Sequence, residues 1–248
     1  MIRAETLDAA RPSRLEIRNP NFEGAITYFY ESPGAAPPAP QAFLVEQNPG
    51  TVLRTHFHPQ HQFQLVADGD GTLGRHALTP FALHYTSPES GYGPIVPGPN
   101  GLSYFTLRAV TCKGAHYLPE SRGEMHQGLA KLQLTVEAPA ISHAAALRSR
   151  SRAMTEVLIA PHASGLAAWL LRVPPGAKVR APAVKGGGRF YVVVAGAMLF
   201  GDQRYPRLSP LFVSANERKF SASADEEGLE VMVLQFPLDA LEVHSLSS

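Results

Sequence analysis

Apolar residues along this chain come in short runs, many alternating with polar ones and most closed by Gly or Pro. Runs of four to nine residues with that punctuation predict strands joined by turns. They fall at 42–46, 51–58, 62–66, 72–78, 81–86 and 102–110, and again at 166–173, 178–181, 189–194, 211–214 and 229–236. Between the two sets, residues 111–154 break the pattern with Pro119, Gly123, the Ser149-Arg150-Ser151-Arg152 stretch and alanine-rich pieces. One short helix is predicted there, near 142–148. The longest apolar run, 190–200, is interrupted by Gly196 and too short to span a bilayer, so it reads as a buried strand and its turn.

The two sets of strands look like copies of one another. Gly101-Leu102-Ser103-Tyr104-Phe105-Thr106-Leu107-Arg108-Ala109 lies over Gly228-Leu229-Glu230-Val231-Met232-Val233-Leu234-Gln235-Phe236. Phe63 with Gly69 lies over Phe190 with Gly196, Pro49-Gly50 over Pro175-Gly176, and Leu78-Thr79-Pro80 over Leu208-Ser209-Pro210. The expected organisation is therefore all-β, with one barrel over 1–110, a linker over 111–154 and a second barrel over 155–248.

Composition narrows the function classes. A hydrophobic content of 44% with 17% charged residues excludes a disordered chain, and 21 Gly with 22 Pro argues against long helices. The formal charge is +1, without a Lys/Arg run interleaved with aromatics, so nucleic acid is not an expected partner. Neither is a membrane. Cys112 is the one cysteine; it reads as a small buried apolar residue, and a chain without cysteine pairs suits the cytoplasm.

Five of the ten histidines fall between His56 and His84. On a strand, His56 and His58 share a face with roughly 6.6 Å between their Cα atoms, close enough for both rings to meet one ion. His61, after Pro59-Gln60, is expected on an exposed turn, and His76 in a pocket or facing solvent.

The frame around these histidines resembles the first motif of the cupin superfamily: Gly50, five residues, His56-x-His58, three residues, Gln62, six residues, Gly69. Gln62 stands where that family usually has glutamate. The resemblance implies two tandem jelly-roll barrels, a bicupin, with one divalent transition metal (Fe, Mn, Ni or Zn) held by His56, His58 and Gln62. It also implies a third histidine from a second motif, and here the sequence departs: with Ala82, Pro88 and Ser90 in that motif's places, Gly93 falls at the histidine, beside Tyr92. His84, Tyr85 or Tyr92 are the candidates to replace it, and His84 and Tyr92 are the candidate proton-handling residues. With a neutral amide as ligand, such an ion would keep most of its charge and favour an anionic ligand.

In the second copy Pro182, Val184 and Arg189 fall on His56, His58 and Gln62, so that barrel is expected to be structural, and Gly186-Gly187-Gly188 a turn rather than a phosphate loop. The Gly- and Pro-rich stretch 86–101 is expected to border the mouth of the first barrel. Two functions stay open. One is a metal-dependent enzyme, dioxygenase- or isomerase-like, acting on a small carboxylate or enol. The other is a non-catalytic small-ligand-binding or sensor bicupin with a remnant metal site. A homodimer is the expected assembly.

Overall fold

The computed structural model describes residues 1–30 and 39–242, and their strands gather chiefly into two antiparallel sheets. They belong to two compact units, one formed by Ala10–Ala138 and the other by Met1–Ala9 with Pro139–Asp239.

The chain opens with β1 (Ile2–Ala4) and the single-turn helix α1 (Leu7–Ala10). The first barrel follows: β2 (Leu15–Asn19), β3 (Phe22–Tyr30), β4 (Gln41–Gln47), β5 (His56–Phe57), β6 (Gln62–Leu73), β7 (His76–Leu78), β8 (Leu83–Thr86), β9 (Ile95–Arg108), β10 (His116–Tyr117) and β11 (Gln133–Val136). Its main sheet runs β11-β8-β6-β9-β4-β3-β2, with β7 on β6, while β5 and β10 form a separate ribbon. After α2 (Ala144–Arg148) come β12 (Met154–Ile159), β13 (Ala167–Val173), β14 (Arg189–Phe200), β15 (Gln203–Pro206), β16 (Pro210–Val213) and β17 (Ala222–Gln235). These make the sheet β1-β16-β14-β17-β13-β12, with β15 on β14.

The long strands β6, β9, β14 and β17 join what the hydrophobic pattern reads as separate pieces. β6 is buried from Gln62 to Ala67 and largely exposed from Asp68 to Thr72, and its register against β9 shifts between Val66 and Asp68 and again between Gly69 and Gly71. Bulges of this kind bend a strand round the end of a barrel without ending it. Gly69 sits there at φ +74°, and a Cβ on it would lie 2.3 Å from the Gly101 carbonyl oxygen. Gly196 repeats this in β14 at φ +70°, 2.0 Å from the Gly228 carbonyl oxygen. Only glycine meets both conditions.

The duplication extends to single hydrogen bonds. Phe81 donates from its backbone N–H to the Val66 carbonyl at 2.9 Å, and Leu208 donates to Val193 at 2.8 Å. Both donors are non-glycine residues at positive φ, +74° and +67°. The partner of Ala82 is therefore Ser209, and the expected match of Leu78-Thr79-Pro80 to Leu208-Ser209-Pro210 is out of register. The Ser-Pro and Thr-Pro pairs are alike by coincidence, whereas the backbone bonds fix the true alignment.

Other expectations also change. Residues 178–181 form no strand, Lys178 making a single bridge to Ser223. Only His56 and Phe57 of 51–58 are strand, the rest being tied by isolated bridges such as Leu53 to Ile95. The segment 111–154 is not bare connection: β10 pairs with β5, β11 pairs with β8, and α2 lies within the predicted helical span.

The two barrels differ inside. The second is lined by Trp169, Leu171, Val193, Met198, Val231 and Val233, all buried and apolar. The first packs Phe43, Val45, Val66, Ile95 and Tyr104 at one level. It also buries a polar group: Gln41, His56, His58, Gln62, Gln64 and Arg108.

Candidate functional site

Of that polar group, His56, His58, Gln62, Gln64 and Arg108 line a cavity of about 410 Å³ in the first barrel, and Gln41 stands behind Arg108. β5 supplies His56, the turn after it supplies His58, and β6 supplies Gln62 at its first residue. Arg108 is the last residue of β9, facing Gln41 in the register of β4. Tyr92 is fixed beside His56 by a pair of backbone hydrogen bonds, 2.9 and 3.1 Å.

A carbonyl oxygen can only accept, which settles both imidazole tautomers. His56 Nδ1 lies 2.7 Å from the Arg54 carbonyl oxygen and His58 Nδ1 lies 2.7 Å from that of Gly114, so both Nδ1 atoms carry the proton. Both Nε2 lone pairs are then free to accept. Tyr92 donates its hydroxyl to His56 Nε2 at 2.8 Å and accepts from Gln62 Nε2 at 2.7 Å. Arg108 Nη2 donates to Gln62 Oε1 and, at 3.2 Å, to His58 Nε2, while its Nη1 donates to Gln41 Oε1. Donors run in one consistent direction from Arg108 through Gln62 and Tyr92 to His56.

Burial fixes the charges. It lowers the His56 pKa to about 4, against a smaller raising effect of the Arg54 carbonyl, with Arg108 adding to the fall. Burial, then Arg108 and His56, hold His58 well below its usual value. Tyr92 and Tyr104 are pushed upward by the same desolvation. At neutral pH the cluster thus holds two neutral imidazoles, two neutral phenols and one guanidinium. Arg108 is 3% exposed and has no carboxylate partner among the described residues. Its Nε has no hydrogen-bond partner at all, and the Phe43 ring, 5.5 Å from Cζ, gives only a weak cation–π contact.

The structure therefore brings His56, His58 and Gln62 together, as the spacing predicts, but as a donor set that does not fit a divalent ion. Both tautomers suit a metal ligand held from behind. Both inward lone pairs, however, are already used, one of them by a cation. A dication within about 4 Å of that guanidinium would meet a repulsion on the order of 8 kcal/mol at an effective dielectric constant of about 20. A neutral amide cannot offset this. Among the described residues no three His, Cys, Asp or Glu side chains converge as metal ligands.

His84 does not reach the cavity. It lies opposite Gln64 in the pairing of β8 with β6, donates or accepts through Nδ1 at 2.9 Å with Thr135 Oγ1, and faces a separate small void of about 10 Å³. Its Nε2 and Gln64 Oε1 are both buried there without a hydrogen-bond partner. Such a void has room for about one water molecule. Tyr85 also points elsewhere, its hydroxyl 2.6 Å from His61 Nδ1. That bond corrects the reading of His61 as an exposed turn residue: it is buried. His76 faces solvent, and Cys112 is buried in the cavity wall, its Sγ 3.4 Å from His58 Nδ1.

Arg108 is what sequence reasoning missed. Its signal was a charged residue closing an otherwise apolar strand, opposite another polar residue, Gln235, in the repeat.

No protein-family model matches this sequence, and neither does any curated protein. Solved structures do match over nearly the whole chain. A protein from Nostoc punctiforme PCC 73102, named as a candidate dioxygenase, aligns with 100% of this chain and 83% of its own at TM-score 0.60 and 13% identity. The bacterial pirin YhhW from Escherichia coli, in complex with nickel(II), aligns over 96% and 99% at TM-score 0.55 and 11% identity. Salicylate 1,2-dioxygenase from Pseudoaminobacter salicylatoxidans, as its gentisate adduct, aligns over 95% and 81% at TM-score 0.56 and 12% identity. At such identities the likeness is one of fold. Together with the duplicated sheets and the frame from Gly50 to Gly69, it shows that the chain is a two-barrel protein of the cupin fold.

Proposed function

We propose that the first barrel binds a small organic anion, a carboxylate or enolate, and that Arg108 rather than a metal ion supplies the positive charge. The observation that carries this reading is the buried guanidinium, held by Gln41, Gln62 and His58 with no carboxylate beside it among the described residues and with its Nε unsatisfied. A buried charge without a counter-ion is costly, and an anion entering the cavity relieves that cost. Among the described residues no Asp or Glu lines the cavity, and Lys113 adds a second positive charge to its lining. Phe22, Ile26, Tyr28, Phe43 and Val45 form apolar wall, so the ligand has an apolar or aromatic body behind its anionic group.

Binding rather than turnover is the simpler use of this site. The imidazole of His56 is a weak base with its lone pair engaged, and His84 is outside the cavity. Tyr92 offers no proton relay to an enolate either: its hydroxyl proton is given to His56 Nε2, and that ring's own proton, on Nδ1, is held by the Arg54 carbonyl. The binding claim is tested by calorimetric titration with benzoate. The parent protein is expected to bind, and Arg108→Met to lose at least about tenfold in affinity, the size of one charge-assisted hydrogen bond. Equal affinities would remove Arg108 from the site.

A further inference from the structure

At the floor of the first cavity Gln62 stands on β6 and Arg108 on β9. In the second barrel the same strand positions, 127 residues on, hold Arg189 on β14 and Gln235 on β17, paired directly in the sheet. The two residue types have changed places. Arg189 donates to the carbonyl oxygens of Pro182 and Val184 at 3.3 and 3.2 Å, the residues that fall on His56 and His58. Gln235 is fully buried; its Nε2 donates to the carbonyl oxygens of Gly165 and Lys185 at 2.7 and 3.3 Å, and its Oε1 has no partner.

Arg189 and Gln235 both line a cavity of about 240 Å³, with Tyr191, Ser214 and Phe220. Gly186 and Gly188 form part of its wall. A Cβ on Gly186 would lie 2.6 Å from Gln235 Cγ, and one on Gly188 would lie 2.8 Å from Phe212 Cζ, so the glycine run lets the backbone close over the buried amide. The carboxylate of Glu217 also lines the cavity, but it is paired at 3.1 Å with the Met1 ammonium, which offsets its charge.

A buried amide oxygen without a donor costs about 1–3 kcal/mol. A ligand that donates to it recovers that cost, and a guanidinium on the same wall selects a carboxylate. We propose that the second barrel is a second binding site, for a small 2-hydroxy acid whose carboxylate meets Arg189 and whose hydroxyl donates to Gln235 Oε1, with Phe220 against its carbon chain. The volume suits a ligand of few heavy atoms, below the usual range for drug-sized pockets, roughly 300–1,000 Å³. This inference does not depend on the proposal for the first barrel.

The test is amide NMR on the full chain, titrated with glycolate and separately with acetate, which lacks the hydroxyl. Saturable shifts at Gly186, Gly188 and Ser214 with glycolate, and at least about tenfold weaker binding of acetate, are the expected result. Ala215 is exposed and lines the same cavity, so Ala215→Trp fills the space without touching the core. It is expected to abolish the glycolate shifts while leaving benzoate shifts at Gly114, in the first cavity, unchanged. Glycolate and acetate binding alike, shifts that survive Ala215→Trp, or no shift at these amides with millimolar glycolate would each overturn the proposal. Loss of the benzoate shifts alone in the parent would count against the first barrel only.

Discussion

Arg108 Nη2 stands 3.2 Å from the inward nitrogen of His58, in the place where the His-x-His frame leads one to expect an ion. Its fork reaches Gln41, Gln62 and His58 together, which a lysine ammonium on a flexible stem cannot do. Arg108→Lys is therefore expected to keep the positive charge but weaken benzoate binding about tenfold, with Gln41 and Gln62 left partly unsatisfied. Calorimetry on folded Arg108→Lys protein checks this. Parent-like affinity would mean that charge alone matters and the fork does not.

Gln62→Glu restores the carboxylate that the cupin motif usually carries. Here it would land against Arg108 Nη2 and form a buried ion pair, so the guanidinium would no longer need an external anion. Benzoate affinity should fall by about tenfold or more, since one unit charge at about 4 Å is worth about 4 kcal/mol at an effective dielectric constant of about 20. Unchanged affinity in a titration of this variant would place Arg108 away from the ligand.

Much of the fold was legible because Gly50, His56, His58, Gln62 and Gly69 keep a fixed spacing and because Gly69 and Gly101 recur as Gly196 and Gly228. Gly69, Gly101, Gly196 and Gly228 all have positive φ and a carbonyl oxygen within 3.0 Å of where a Cβ would lie, so a side chain is forbidden there and the glycines recur in the sequence. Edge strands were not. β2 and β12 lie at the ends of their sheets with four of five and three of six residues exposed, and β10 is two residues long, so none carries a clear apolar period. The site was half legible. His56, His58, Gln62 and Tyr92 do converge, but whether their lone pairs point at an ion or at a guanidinium depends on Arg108, 50 residues from His58 in sequence and brought there by strand pairing.

Tyr92→Phe removes the hydroxyl between His56 Nε2 and Gln62 Nε2. Both groups are buried, and both lose a partner at once. Urea denaturation should show a loss of about 1–3 kcal/mol, more than a surface hydroxyl would cost. A change below about 0.5 kcal/mol would show that the hydrogen-bonded chain is not closed as described.

Stability should also depend on pH in a defined window. His56 and His84 each have a folded pKa lowered to about 4, chiefly by burial, against an ordinary value of 6.5. Between those values the unfolded chain binds more protons than the folded one, so stability is full above about pH 6.5 and falls as pH drops toward 4. Each histidine contributes a slope of up to about 1.4 kcal/mol per pH unit. His84→Gln should flatten the curve of urea midpoint against pH over this range. A parent curve that is already flat would contradict the burial of neutral imidazoles.

The central claim is that Arg108 serves as the cation of the first barrel, and it is tested most directly by titrating benzoate into untagged protein stripped with chelator, with and without added Mn(II). The account predicts the same affinity in both samples. Binding that vanishes on stripping and returns with Mn(II) would contradict it, and would restore His56, His58 and Gln62 as ligands of a metal ion.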